Sequence, residues 1–210
     1  MRIRPLSLLI ASAFAVNAHA AVMTYSTDAS FLAAAGAGLT SESFETASLL
    51  TSTSVGFTGG SFSCNGSAWC PGFFGIWTAN ADTGSQSVYF ASPDQATFTF
   101  SSGINAFGIA IGGSGDVAPL TLNVQLSNGD TAVALNNYSG SFDVFGGNRQ
   151  YFGVISDTLF TSITFIPSNS GDGIFFDTMS YGTTAVPEPA TLALLGLGLA
   201  GLGLSRRRVH

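Results

Sequence analysis

The sequence predicts an all-β protein: a single antiparallel β-sandwich, jelly-roll-like, spanning residues 21–185, with one short helix near its N-terminus. Glycine, serine, threonine and phenylalanine are abundant and only 9% of the residues are charged, which suits strands better than helices. The segment Leu120–Ser127 alternates aliphatic and polar side chains, as a half-buried antiparallel strand does. Short β-rich segments recur at close spacing around it, which is typical of a sandwich or barrel.

The first 20 residues have the three parts of a secretory signal peptide. Arg2 and Arg4 supply the positive start, Leu6–Val16 the apolar stretch, and Ala18–Ala20 the small-residue cleavage site. We therefore expect export through the Sec machinery and a mature chain that begins at Ala21.

The N-terminal part of the mature region contains the one predicted helix. Thr24–Ser26 is predicted as a first short strand. Asp28 is predicted to cap a helix over Ala29–Ala35 that ends at Gly36. Leu39–Glu45 is then predicted to be extended.

Strand signals become regular further along the chain. Ser48–Ser61 is predicted as a weak strand or loop, and Asn128–Gly129 predicts a hairpin turn. With no internal repeat and no Thr-x-Thr ladder, a flat ice-binding face is not predicted. The other predicted strands are Gln86–Ala91, Ala96–Ser101, Ile104–Ile111, Leu120–Ser127, Thr131–Leu135, Phe142–Phe145, Tyr151–Ile155, Phe160–Ile166 and Gly173–Tyr181.

Charge excludes several function classes. Arg149 is the only basic side chain between positions 21 and 185, and the chain has no lysine. Such an acidic region disfavours binding to nucleic acid or anionic lipid. Both histidines, His19 and His210, lie in segments that we expect to be removed. The mature region therefore lacks the residues for Ser-His-Asp, Cys-His, histidine-zinc and Schiff-base sites, and we predict no catalytic residue.

A glycan-cleaving enzyme would need only two carboxyl groups, one of them with a raised pKa. Several acids here sit beside glycine, serine or asparagine in predicted turns, such as Asn128–Asp130 and Ser170–Asp172. We expect solvent to keep those carboxyl groups ordinary.

Cys64 and Cys70 are the only cysteines. Export places them in an oxidising compartment, which predicts a disulfide closing a small loop that contains Asn65 and Trp69. With Trp77 and Tyr89, these residues could form a surface for sugar rings. Alternatively, Trp77 and Tyr89 are simply core residues.

Asp177 is a candidate metal ligand. Strand alternation over Gly173–Tyr181 puts it on one face with Phe175, Met179 and Tyr181, where an uncompensated carboxylate would be costly. Oxygen-only ligands favour calcium over zinc. Alternatively, Asp177 faces water at a sheet edge or is held by backbone and hydroxyl groups.

The last 25 residues have three parts in a fixed order. Val186-Pro187-Glu188-Pro189 is rigid and acidic, Ala190–Leu204 is uncharged and apolar, and Arg206-Arg207-Arg208 is a basic cluster. The 15 apolar residues would reach about 22 Å as a helix, short of a roughly 30 Å hydrocarbon core. This order favours a processed sorting tail, with an ordinary single-span anchor as the alternative.

On these residues the tail resembles the PEP-CTERM sorting signal of Gram-negative bacteria. The resemblance implies recognition by an exosortase-type membrane protease that cleaves near the Pro-Glu-Pro, with membrane contact only through the unprocessed tail. Such proteins are typically exported by bacteria that make exopolysaccharide and biofilm matrix. The same motif is sometimes labelled an ice-binding-protein C-terminal domain.

A second resemblance covers most of the mature region. Its end, from Phe152 through Asp177 to Gly182, and its start, with Phe31 and Ser43-Phe44-Glu45, are similar to jelly-roll sandwiches of PEP-CTERM proteins and of carbohydrate-binding domains. In several of those, matching acids hold a structural calcium. The resemblance therefore implies a calcium site at Glu45 and Asp177.

Together these patterns predict an exported surface or matrix protein that binds exopolysaccharide without cleaving it. A structural matrix protein with no specific ligand is the first alternative. A glycan-cleaving enzyme is the second.

Overall fold

A computed structural model describes residues 22–78, 81–140, 145–146, 149–169 and 171–185. The predicted signal peptide and the segment 186–210 lie outside these residues. The elements are helix α1 (Asp28–Ala35) and strands β1 (Val22–Tyr25), β2 (Thr40–Glu42), β3 (Ser48–Thr51), β4 (Ser54–Phe57), β5 (Gly60–Asn65), β6 (Phe74–Trp77), β7 (Ser87–Ala91), β8 (Gln95–Gly112), β9 (Leu120–Leu126), β10 (Thr131–Tyr138), β11 (Gln150–Pro167) and β12 (Gly173–Gly182).

Two 18-residue strands, β8 and β11, fold back on themselves and create the two layers. Phe98 and Phe107 both belong to β8, yet their ring centroids are 5.7 Å apart. A straight strand would separate them by about 30 Å. In β11, Phe152 and Phe165 are similarly close, at 6.1 Å. The pairing register of the two strands breaks between Ile155 and Phe160, where both change layer.

Every pairing in the sheet is antiparallel, and the halves of β8 and β11 join the layers. In the first layer β1, the first half of β11, the second half of β8, β12, β7 and β6 lie side by side, with β2 also on β12. In the second layer the order is β10, β9, the second half of β11, the first half of β8, β5, β4 and β3. The predicted antiparallel β-sandwich is confirmed.

Phenylalanine dominates the core between the layers. Phe98 is fully buried and contacts Phe62, Phe165 and Phe176 with ring centroids 4.5–6.1 Å apart. These rings come from both layers, so burying them holds the layers together. Each fully buried phenylalanine contributes roughly 1.5–3 kcal/mol of hydrophobic free energy.

Helix α1 packs on the outer face of the first layer through Phe31. Gly108 of β8 and Gly153 of β11 are paired directly beneath its ring. A Cβ atom would lie 2.7 Å from the ring at Gly108 and 2.8 Å at Gly153, so the glycines form the seat of the helix. The predicted Asp28 cap is wrong by one residue. Thr27 is the N-cap, because its backbone is extended and its side chain accepts the Ser30 N–H.

Several strand boundaries differ from prediction. Ser48–Ser61, expected to be weak, contains β3, β4 and the start of β5, while β6 was not predicted. The segments predicted as separate strands on either side of the two bends are continuous in β8 and β11. Phe145 lies in a turn, and 142–144 lie outside the described residues. The hairpin at Asn128–Gly129 is confirmed.

Candidate functional site

An aromatic pocket lies on the outer face of the first layer, where β6, β7 and β12 run side by side. Trp77, Tyr89 and Phe175 come from these three strands and point away from the core. Tyr89 and Phe175 are stacked with ring centroids 5.5 Å apart, and Trp77 meets both edge-on at 5.8 and 5.5 Å. Neighbouring strands therefore build one continuous aromatic surface.

Glycines keep this surface open. Gly75 is paired with Tyr89, and Gly173 with Ala91, so small residues alternate with the rings across the strands. The resulting pocket has a volume of about 340 Å³. It is lined by Trp69, Gly72, Phe73, Trp77, Tyr89, Ala91, Gly171, Gly173 and Phe175.

The loop between β5 and β6 forms one wall of the pocket. Its Trp69 and Phe73 side chains are 40% and 53% exposed and meet edge-to-face at 5.2 Å. Large aromatic side chains in pairs rarely remain this exposed without a partner, and such patches mark interaction sites. The wall therefore offers two accessible aromatic faces.

Asp94 holds this wall in place from below. Its buried carboxylate accepts hydrogen bonds from the backbone N–H groups of Ala68, Trp69 and Cys70, at 3.1, 2.6 and 2.6 Å. Burial alone would raise the pKa of Asp94, but these donors outweigh it and hold the pKa below its usual value. The carboxylate is thus ionised at neutral pH and fixes the backbone of the loop.

The Cys64–Cys70 disulfide closes the same loop, and its prediction is confirmed. The two Cα atoms are 6.1 Å apart. Gly66 lies inside the loop, where a Cβ atom would collide with the Asp94 carboxylate. The disulfide, the glycine and Asp94 together give the wall one conformation.

Three of the four residues predicted to contact glycan meet in this pocket. Trp69, Trp77 and Tyr89 line it, whereas Asn65 is exposed at the end of β5 and does not. Trp77 and Tyr89 are half-buried and flank the pocket instead of filling the core between the layers. The Trp77 Nε1–H is buried and has no hydrogen-bond partner among the described residues.

Glu45 and Asp177, the predicted calcium ligands, both hold the loop that leads into β7. Glu45 accepts hydrogen bonds from the Ser85 and Gln86 N–H groups at 2.7 and 2.8 Å. Asp177 accepts them from Thr83 and Thr178 at 2.9 and 2.7 Å. This matches the alternative in which backbone groups hold Asp177.

The predicted face of Asp177 is wrong in part. Thr178 has a φ of 47° and makes a bulge, so Met179 and Tyr181 enter the core while Asp177 stays on the outer face with Phe175. Burial raises the pKa of Asp177 to about 6, against the hydrogen bonds from Thr83 and Thr178 that lower it.

The donor set around this pair does not complete a calcium site. The oxygens of both carboxylates already accept N–H or O–H groups. Within the described part of the chain, no group of three or more Asp, Glu, His or Cys side chains is placed to bind a metal. The calcium prediction for Glu45 and Asp177 stays a prediction.

One acid in a predicted turn has a strongly shifted pKa. Asp172 is fully buried at the start of β12, and burial raises its pKa to about 6. Hydrogen bonds from Asn169 and Gly115 lower the pKa, and the adjacent Asp116 carboxyl raises it. The expectation that solvent surrounds this turn is wrong, because the loop after β8 covers it. Asp130, in the other such turn, bonds to the Asn128 and Ser156 side chains.

The C-terminal tail matches a known sorting motif. Residues 185–208 match the family model of the PEP-CTERM protein-sorting motif. The chain carries a PEP-CTERM sorting motif. The predicted sorting residues, from Val186 to Pro189 and from Arg206 to Arg208, all fall within this match but lie outside the described residues. The PEP-CTERM motif marks an exported protein with a C-terminal sorting tail. Among the described residues, no helix is long and apolar enough to cross a bilayer.

The sandwich itself is similar to several solved structures. The CBM22-1 xylan-binding domain of Paenibacillus barcinonensis Xyn10C matches with 14% identity and a TM-score of 0.45, over 71% of this chain and 97% of that one. TmCBM61, solved with β-1,4-galactotriose, matches with 13% identity and a TM-score of 0.37, over 66% and 92%. The catalytic domain of a GH87 α-1,3-glucanase matches with 13% identity and a TM-score of 0.40, over 74% of this chain and 30% of that one. No curated protein matches the chain.

Sequence reasoning missed four residues that shape the site: Phe73, Asp94, Asp172 and Phe175. Phe73 and Phe175 are two of 18 phenylalanines, and composition cannot separate the exposed from the buried ones. Asp94 follows Pro93 in what looks like an ordinary surface turn. Its burial depends on the β5–β6 loop, which lies 24 to 26 residues away in sequence.

Proposed function

We propose that the exported domain binds polysaccharide in the aromatic pocket and does not cleave it. The observation that carries this proposal is the arrangement of five aromatic rings around one open, glycine-floored pocket. Its volume of about 340 Å³ lies within the range of roughly 300–1,000 Å³ typical of small-ligand sites.

The chemistry of the pocket suits a sugar ring. The C–H face of a sugar packs on an aromatic ring, and the pocket offers the exposed rings of Trp69 and Phe73 on its wall and the half-buried ring of Tyr89 on its floor. No charged side chain lines the pocket, which favours a neutral glycan over an acidic one.

A non-catalytic role fits the placement of the acids. Glycoside hydrolysis needs two carboxyl groups that flank the scissile bond. None of the residues lining the pocket is acidic. Of the carboxyl groups with raised pKa, Asp177 is covered by the loop that Glu45 also holds, and Asp172 is buried behind Gly171 and Gly173.

The PEP-CTERM motif supports the setting of this proposal. We expect an exosortase-type protease to process the tail, which places the sandwich at the cell surface or in an exopolysaccharide matrix. The Sec machinery would deliver it there. In that setting glycan is the abundant polymer, and a weak binding site suffices to retain the protein.

A glycan array with the exported, disulfide-bonded protein tests the proposal. We expect retention on a subset of neutral polysaccharides and no release of reducing ends during prolonged incubation. Sustained release of reducing ends, lost when one acid is replaced, would identify an enzyme instead. Neither retention nor release would leave a structural matrix protein.

A matched pair of variants tests the location of the site. Trp69→Ala removes an exposed ring from the pocket wall and is expected to weaken retention at least tenfold. The stacking of a nucleic-acid base on an aromatic ring is worth about 1–3 kcal/mol, and we expect the packing of a sugar ring to be comparable. Leu159→Ala removes a side chain at the bend of β11 that is more exposed, at 59% against 40% for Trp69, and is expected to leave retention unchanged. Equal retention by all three proteins would place binding outside the pocket.

A further inference from the structure

A second cluster of oxygen atoms lies behind the pocket, between the loop that follows β8 and the turn that precedes β12. Asp172 is fully buried there. Its Oδ2 accepts hydrogen bonds from the Gly115 N–H at 2.7 Å and from Asn169 Nδ2 at 3.0 Å. Its Oδ1 is buried and has no hydrogen-bond partner among the described residues.

A second carboxyl group faces this one. The side chain of Asp116 is close enough to Asp172 for the two carboxyl groups to share a hydrogen bond. Asp116 itself is exposed, so the pair is open to solvent on one side and closed on the other. Two neighbouring carboxylates repel each other unless they share a proton or a positive charge lies between them.

Neutral oxygen ligands accompany the two acids. The Ser114 hydroxyl is buried next to Gly115, and the Asn169 side-chain oxygen is buried on the residue that already bonds Asp172. Neither oxygen has a hydrogen-bond partner among the described residues. Three buried oxygens without partners thus lie on Asp172, on Asn169, which bonds Asp172, and on Ser114, which precedes the Gly115 donor. Leaving such oxygens unsatisfied is costly.

Among the described residues, no basic side chain is left for this cluster. Arg149, the only basic side chain between positions 21 and 185, is bonded to Asp82 at 2.6 Å and to Asp28 at 3.3 Å. A bound proton or a bound metal ion are the two ways left to remove the repulsion. A proton would satisfy one of the carboxyl oxygens and leave Ser114 and Asn169 without partners, whereas a metal ion can take all of these oxygens.

We propose that a hard divalent cation of the Ca²⁺ class binds in this cluster, held by the carboxylates of Asp116 and Asp172 with neutral oxygens from Ser114 and Asn169. Calcium accepts six to eight oxygen ligands in flexible geometry, so carboxylate, hydroxyl, amide and water oxygens together fit it. This site differs from the one predicted at Glu45 and Asp177, where the described carboxylate oxygens already accept hydrogen bonds.

The cation would also fix one rim of the pocket. Gly171 and Gly173, which flank Asp172 in sequence, both line it. Binding of the cation is therefore expected to strengthen polysaccharide retention. This coupling rests on the proposed function, whereas cation binding itself does not.

Calcium titration of the exported, chelator-treated protein tests the site without any glycan. We expect a saturable calorimetric signal, terbium luminescence sensitised by the tryptophans, and a Tm that rises with calcium because the ion binds only the folded state. Asp116→Asn should weaken calcium binding at least tenfold. Because Asp116 is exposed, its variant is expected to keep the fold, which a Tm in chelator no lower than that of the unaltered protein would verify.

Two controls complete the test. Asp157→Asn removes an exposed acid at the bend of β11 and should leave the affinity for calcium unchanged. Glu45→Gln should also leave it unchanged.

No calcium signal in the unaltered protein would overturn the proposal, and so would calcium binding that survives Asp116→Asn. Loss of binding only in Glu45→Gln would assign the ion to the site predicted from sequence. If the protein retains polysaccharide but does not bind calcium, the cation proposal is wrong and the proposed binding of polysaccharide in the pocket stands.

Discussion

At the scale of single residues, one carboxylate decides the shape of the pocket wall. Asp94 satisfies consecutive N–H groups of the disulfide loop, which have no strand or helix partner of their own. A disulfide across six residues limits the loop but leaves it several conformations. The carboxylate selects the one in which Trp69 faces the pocket.

Replacing Asp94 is therefore expected to destabilise the protein and to weaken the pocket. Asp94→Ala leaves buried N–H groups without an acceptor, and we expect a loss of about 2–3 kcal/mol in the free energy of unfolding. Asp94→Asn keeps one acceptor oxygen and should lose less. Urea unfolding of the three proteins measures this order. Equal stability of Asp94→Ala and the unaltered protein would contradict the account.

Asp177 is expected to make the protein less stable as the pH rises. A salt-bridged acid has the opposite effect, since it stabilises the folded state when ionised. Its pKa of about 6 in the folded protein lies above the value of about 3.9 for an unfolded aspartate. The folded state therefore binds the proton more tightly than the unfolded state does. The proton on Asp177 thus adds most to the free energy of unfolding below pH 4. That contribution is lost as the pH rises through about 6.

Comparing the unaltered protein with Asp177→Asn isolates this effect, because the amide does not titrate. From pH 4 to pH 7 the unaltered protein should lose stability relative to the variant, as measured by urea unfolding at each pH. Asp157→Asn is the control for a general change in charge. A difference that stays constant over this range, or one that favours the unaltered protein at pH 7, would contradict the raised pKa.

Which site residues the sequence could reveal depends on their chemistry. Trp69, Trp77 and Tyr89 stand out because tryptophan is rare here and amphipathic, so a site could be predicted from identity alone. Asp94 and Asp172 look like surface-turn acids. Their burial depends on loops that are distant in sequence, and no local pattern encodes it.

At the scale of elements, two glycines determine where the helix packs, because they have no side chains. Gly108 and Gly153 are paired across two neighbouring strands, and together they leave room for the Phe31 ring. This contact joins α1 to the first layer and leaves the pocket side of the layer free.

Gly153→Ala is expected to displace the helix. The new Cβ would lie 2.8 Å from Phe31 Cδ2, and overpacking of this kind costs typically 1–3 kcal/mol. Gly103→Ala is the matched control, since its Cβ would meet the Leu159 side chain at an ordinary 3.4 Å. Thermal unfolding of both variants checks the difference. A Gly153→Ala protein as stable as the Gly103→Ala protein would contradict the seat proposed for Phe31.

The elements also show where local patterns fail. Alternation identified β9 and its hairpin, because that strand has one core face and one solvent face. The same pattern predicted two separate strands in place of β8 and two in place of β11, because the polar and exposed residues at their bends resemble turns. The contacts between Phe98 and Phe107 in β8 and between Phe152 and Phe165 in β11 show that the two halves of each strand lie in different layers.

At the scale of the whole molecule, the C-terminal sorting motif and the sandwich occupy separate parts of the chain. The PEP-CTERM motif gives the chain its address, and the sandwich presents the aromatic pocket on the outer face of one layer. The α1 side, the 81–86 loop and the pocket share that face. The second layer presents mainly polar side chains outward, as the alternation in β9 shows.

The affinity of the exported protein for the exopolysaccharide of its own producing bacterium tests the central claim most directly. We predict retention that falls at least tenfold when Tyr89 is replaced by alanine, with the Tm of the variant monitored to exclude unfolding. Leu159→Ala should bind as the unaltered protein does. No retention of the unaltered protein, or equal retention of a folded Tyr89→Ala protein, would contradict the claim that the aromatic pocket binds polysaccharide.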